Sequence, residues 1–115
     1  MPNRLGPFYC FNTVLHVSEF STGALADGLA ALRSPDEARA LLRDLCTPAE
    51  IRSLAERWQV ARLLDGGAMT YREIHDATGV STTTIVRVAR FLKEEQNGGY
   101  RLLLDRMKEI QGTPS

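Results

Sequence analysis

Thr70–Lys93 reads TYREIHDATGVSTTTIVRVARFLK, and the rest of the chain is best understood as a mount for this stretch. Its pattern is two helices around a sharp turn. Thr70 and Glu73 form a T-x-x-E capping box, in which the threonine oxygen accepts an orphan helix N–H and the glutamate reaches back. The first helix runs to Thr78, and Gly79 supplies the left-handed backbone that stops it at little cost. Val80 plugs the turn and Ser81 caps the second helix. Ile74, Val80, Ile85 and Val88 then fall where a helix-turn-helix needs buried apolar residues, with Gly79 at its turn.

The composition sets bounds on what such a unit can do. At 115 residues the chain is long enough for one domain with its own core. Fourteen basic residues balance 14 acidic ones, so nucleic-acid contact has to come from local charge. Segment 70–93 provides some: Arg72, Arg87, Arg90 and Lys93 stand against Glu73 and Asp76, a surplus of two. Cys10 and Cys46 lack metal-ligand spacing and are expected to be two reduced thiols. No apolar run suggests a membrane span or an efficient signal peptide, which predicts a cytoplasmic protein.

The rest of the chain predicts an all-α fold, a multi-helix bundle without strands. Residues 1–21 are expected to form a poorly structured extension, because Pro2, Gly6 and Pro7 oppose regular structure and no period emerges. Phe8–Phe20 is apolar enough to dock, for instance as a short helix from Asn12. A helical domain spans 22–111, with the helix-turn-helix at 70–95, and a frayed tail follows at 112–115. From Thr22, Leu25, Leu29 and Leu32 mark a short amphipathic helix. Ser34-Pro35-Asp36-Glu37 starts the next, whose face is Ala38, Leu41, Leu42 and Leu45. Thr47-Pro48-Ala49-Glu50 opens a longer helix to about Asp65. Its apolar residues, among them Ile51, Leu54, Trp58, Val60 and Leu64, cover more than one stripe and predict burial on two sides. That implies a central helix or one also packed against a second subunit. Trp58 and Cys46 read as core. The last helix, from Tyr100 to about Ile110, should face inward through Tyr100, Leu103, Met107 and Ile110.

Asp44-Leu45-Cys46-Thr47, Glu50-Ile51, Leu54-Ala55, Arg57, Val60-Ala61-Arg62 and Thr70-Tyr71 carry a likeness that continues through Thr78-Gly79, Ser81-Thr82, Thr84-Ile85, Arg87-Val88 and Arg90. Gly99-Tyr100 and Leu104-Asp105-Arg106 complete it. In order and spacing these residues resemble the Trp-repressor superfamily, and more closely its YerC/YecD branch of small bacterial proteins. The resemblance covers about three-quarters of the chain and leaves 1–21 without a counterpart. It implies an intertwined homodimer that presents two helix-turn-helix units to successive major grooves of double-stranded DNA, about 34–36 Å apart on a roughly palindromic site.

The recognition helix should be Ser81 to about Lys93. Helix N-terminal residues reach base edges, which makes Thr82, Thr83 and Val86 the base-reading candidates beside the cap Ser81. The threonine run also has a plainer use as a cap. Tyr71 and Arg72, on the helix that crosses the backbone, are phosphate candidates, with Arg90 and Lys93 adding charge. His75 reads as surface filler. In Trp repressor two arginines cradle the tryptophan; the resemblance puts Arg57 and Arg87 there, with Thr47 as a third pocket residue. Val88 and Phe91 stand where that pocket has small residues and would fill it, so tryptophan binding is not expected. Acidic neighbours are an alternative use for the two arginines. We expect no cofactor, no metal and no catalytic residues: His16 and His75 are far apart in sequence, and neither a metal cluster nor a phosphate-binding loop is present. The alternative to a transcriptional regulator is a helical protein–protein interaction module on the same scaffold.

Overall fold

The computed structural model describes residues 19–94 and 97–111. Cys10, His16, most of the expected N-terminal extension and the tail at 112–115 lie outside them. The described residues form α1 (Glu19–Ala30), α2 (Pro35–Leu45), α3 (Pro48–Gly66), α4 (Tyr71–Thr78), α5 (Thr82–Lys93) and α6 (Gly99–Ile110). None of them is in a strand, so the fold is all-α as expected. The chain divides into two compact units between Asp44 and Leu45.

In the first unit, α1 begins at Glu19 rather than Thr22 and ends before Leu32. Neither proline nor glycine stands between Glu19 and Thr22 to interrupt it. Leu25 and Leu29 remain 44% and 47% exposed. The start of α2 follows its sequence signal: Ser34 Oγ accepts the Glu37 amide at 3.1 Å, and Glu37 Oε1 accepts the Arg33 amide at 2.8 Å. Ala38, Leu41 and Leu42 are half-buried, while Leu45 is exposed.

The second unit holds the core. Thr47 and Glu50 close a capping box on α3, with Thr47 Oγ1 accepting at 3.1 Å and Glu50 Oε1 at 2.8 Å. At the other end Gly67, at φ +74°, donates its amide to the Leu64 carbonyl. Val60 and Ala61 of α3, Ile74 of α4, Val80 of the turn, Ile85 and Val88 of α5 and Leu104 of α6 form one buried cluster. Helix α5 packs against α3, α4 and α6. Trp58, Leu63, Leu64, Met69, Leu92 and Tyr100 pack around the cluster, partly buried.

Three expectations change here. First, α3 is buried only toward its C-terminal half: Val60 and Ala61 are sealed, whereas Leu54 is 45% exposed. The helix carries two apolar stripes, and α4–α6 cover one. Second, α6 turns Tyr100, Leu104 and Met107 inward, not Leu103 and Ile110, which are 44% and 70% exposed. The run Leu102-Leu103-Leu104 fits an apolar face in more than one phase, and the stack of Tyr100 on Trp58 (centroids 6.5 Å apart, planes at 19°) sets the choice. Third, Cys46 is a half-buried free thiol between α2 and α3 rather than a core residue.

An ionic junction ties the end of α3 to α6. Asp65, with a side chain only 12% exposed, binds Arg101 Nη1 at 2.9 Å and Lys108 Nζ at 3.0 Å. Arg101 also binds Asp105 through Nε and Nη2, at 3.1 and 2.8 Å. The Arg101 hydrogen bond, seconded by Lys108 and opposed by partial burial, holds the Asp65 carboxyl below the ordinary aspartate range. Asp65 and Asp105 together raise the Arg101 pKa above its usual value.

Candidate nucleic-acid interface

Helix α4 starts with a second capping box: Thr70 Oγ1 accepts the Glu73 amide at 3.1 Å and Glu73 Oε1 accepts the Thr70 amide at 2.8 Å. It ends at Gly79, whose φ of +78° is a conformation L side chains resist, and whose amide donates to the His75 carbonyl. The turn is then closed by side chains. Thr78 Oγ1 donates to the Ile74 carbonyl at 2.7 Å and accepts the Val80 amide at 3.1 Å. His75 Nδ1 lies 2.8 Å from the Val80 carbonyl. A carbonyl can only accept, so Nδ1 carries the proton. These bonds fix α4 against the start of α5 while Val80 is driven into the core.

Ser81 caps α5, its Oγ accepting the Thr84 amide and donating to Thr84 Oγ1, both at 3.1 Å. The threonine run therefore divides. Thr84 is half-buried and engaged in the cap, while Thr82 and Thr83 are exposed on the first turn. Val86 is half exposed one turn further along. Ile85, Val88 and Ala89 form the opposite, buried face. Tyr71 and Arg72 stand exposed at the start of α4, and Lys93 Nζ lies 5.9 Å from the Tyr71 ring centroid. Arg90 is exposed, its guanidinium 5.4 Å from the Phe91 ring centroid. Between the two helices an open depression of about 470 Å³ is lined by Tyr71, Arg72, His75, Asp76 and Thr82. His75 is thus no filler: it closes the turn and lines this depression. A polar ring just ahead of the turn glycine was its only trace in the sequence.

Four of the five residues matched to an effector pocket, all but Arg57, have other engagements. Thr47 caps α3. Val88 is buried in the core, and Phe91 lies half-buried beneath the Arg87 guanidinium at 4.6 Å. Arg57 is half-buried beside Glu50, Ser53 and Leu54 in a shallow surface hollow. No carboxylate pairs with Arg57 or Arg87 among the described residues, so the acidic-neighbour alternative gives way to a cation–π contact at Arg87. Nor do the described residues include a cluster of metal-ligating side chains or a helix long and apolar enough to cross a membrane.

A core-anchored α4–turn–α5 unit with an exposed first turn on α5 is a helix-turn-helix. Residues 21–108 match the family model described as Trp repressor protein. The chain is 44% identical to the uncharacterized protein YerC of Bacillus subtilis (strain 168) over 87 residues, 76% of this chain and 82% of that one. A crystal structure of a TrpR-like protein from Eubacterium eligens ATCC 27750 superposes with a TM-score of 0.68 at 34% identity, covering 86% of this chain and 96% of that one. A candidate Trp repressor from Staphylococcus aureus gives 0.71 at 35% identity, over 83% and 96%. The chain belongs to the Trp repressor family, as a YerC-like member.

Proposed function

We propose that this chain is a sequence-specific DNA-binding transcriptional regulator of the cytoplasm. In this reading it acts as a homodimer on a palindromic site, without tryptophan as corepressor. The observation that carries the reading is the first turn of α5. Thr82 and Thr83 are exposed and Val86 half exposed, above a fully buried Ile85 and a turn whose polar groups are closed by hydrogen bonds. Such a rigid base lets short side chains meet base edges at the N-terminus of a recognition helix. Tyr71, Arg72, Arg90 and Lys93 flank that turn as phosphate contacts, and Ser81 holds the register. A surplus of two positive charges per unit supports only modest affinity, so specific binding depends on two units acting together.

Selection from random duplex DNA, followed by binding measurements at about 50 and about 200 mM salt, tests the proposal. A palindromic consensus whose affinity falls steeply with salt is expected. Absence of any preference over random duplex would sink the reading. Thr83→Ala should relax preference at one position, whereas Arg72→Ala should weaken all sequences about equally. The buried Val88 and the Arg87–Phe91 contact support exclusion of tryptophan. Calorimetry should therefore show no heat on adding L-tryptophan, and micromolar binding would overturn that part.

A further inference from the structure

His75 sits on α4, the first helix of the helix-turn-helix. One ring nitrogen serves the fold and the other does not. Nδ1–H is committed to the Val80 carbonyl at 2.8 Å, a bond that helps set the angle between α4 and α5. The side chain is nevertheless exposed and lines the depression shared with Tyr71, Arg72, Asp76 and Thr82. That depression lies among the residues read above as phosphate and base contacts.

With Nδ1 fixed as a donor, the neutral ring has only a lone pair at Nε2, which makes that nitrogen an acceptor. A phosphate oxygen also only accepts, so a neutral His75 and a phosphate repel each other's lone pairs. A proton taken up from solvent at Nε2 converts that edge into a charged donor and leaves the Nδ1 bond intact. Histidine is the side chain whose ordinary charge change falls between about pH 5 and pH 8. Charged and polar groups share the depression with it. Tyr71, Arg72 and Asp76 come from α4 and Thr82 from α5, with Lys93 reaching the Tyr71 ring and the Val80 carbonyl on the turn side.

We infer that His75 is a further DNA contact, which binds a backbone phosphate through Nε2 only in its charged form and so makes operator affinity rise as pH falls. This rests on the DNA-binding reading and adds a proton to it. In a helix-turn-helix of small net charge, one added positive charge per subunit is a large fraction of the electrostatic attraction. It steepens the dependence of log affinity on log salt by about 0.9 for each phosphate engaged.

The test is binding of the selected duplex by the full chain at about pH 6 and about pH 8, the span over which histidine ordinarily changes charge. Affinity should fall with rising pH by up to about tenfold per pH unit for each subunit, the limit for one linked proton. Calorimetry in buffers of different ionisation enthalpy should show proton uptake on binding. His75→Asn is the informative variant, because its amide nitrogen stands where Nδ1 stood and keeps a donor for the Val80 carbonyl, while nothing titratable remains. Its affinity should be nearly flat with pH, and its thermal unfolding should match the parent. Wild-type binding that ignores pH and takes up no proton overturns the inference while leaving DNA recognition standing. A pH slope unchanged in His75→Asn also overturns it, placing the proton elsewhere, for instance on His16. Absence of specific binding at every pH would instead bring down the function proposed above.

Discussion

From Leu45 onward, Val60, Ile74, Ile85 and Val88 are sealed from solvent; before it, Leu25 and Leu29 stay nearly half exposed although they too sit at helical spacing. The contrast is between a unit with a sealed apolar cluster and a unit in which none of the described residues is buried. Periodicity specifies that a helix has a face; it is silent on what covers that face. Leu54 of α3 and Leu103 and Ile110 of α6 repeat the lesson inside the second unit.

The proposed dimer assigns the exposed leucines to a second copy, and the largest expected effect follows from it. Leu25→Asp combined with Leu29→Asp removes four leucines from a symmetric interface. Each is already about half covered within its own chain, so about half of the roughly 1.5–3 kcal/mol of full burial applies to each, and a loss of about 3–6 kcal/mol is expected. Sedimentation should show the dimer replaced by monomer, with the circular dichroism of α3–α6 largely kept. An unchanged sedimentation coefficient would mean that these leucines are not covered by a second copy. Next comes Ile85→Ala in the sealed region. Cavity formation should cost about 2–5 kcal/mol in urea unfolding at fixed protein concentration, and a cost under about 1 kcal/mol would mean that the core is looser than its burial indicates.

Asp65→Asn should be milder. Its partners are partly solvated, so removing the charge should cost about 1.5 kcal/mol. The Asp65 carboxyl is held below its unfolded value, so the native chain binds fewer protons than the unfolded one. Its contribution is complete above the unfolded value near pH 4 and fades as pH drops through the lower native value. Melting temperatures between about pH 7 and about pH 3 should therefore fall less steeply in the variant, from a lower start. Parallel curves would remove Asp65 from the account. The smallest effect is Thr70→Ala, which deletes one side of a capping box on a short helix and should cost about 1 kcal/mol in thermal unfolding.

Much of this fold could be read from local chemistry. Thr47–Glu50, Thr70–Glu73 and Ser81 each act within one turn of helix, and the structure uses all three as caps. Ile74, Val80, Ile85 and Val88 were legible because a helix-turn-helix constrains spacing as well as polarity. The inward face of α6 was not, because three successive leucines leave its phase to a Trp58–Tyr100 contact made across the fold. The Asp65–Arg101–Lys108 junction was missed for the same reason: charges on two separate helices carry no mark of their pairing. On the candidate interface, exposure of Thr82, Thr83, Arg72 and Arg90 followed from helix phase. The bond from His75 to Val80 did not, since it depends on how the turn presents a carbonyl.

The Asp65 junction also bears on time. The bonds of the α4–α5 turn join near neighbours in the chain and can form as that segment first folds, whereas Asp65 meets Arg101 and Lys108 only after α6 has docked. Contacts made after the folding transition state leave the rate of folding almost untouched and act on the rate of escape. If α6 docks after the folding transition state, Asp65 acts as a latch: weakening it shortens the lifetime of the native protein while refolding keeps nearly the same pace, and folding and unfolding rates of Asp65→Asn test this order.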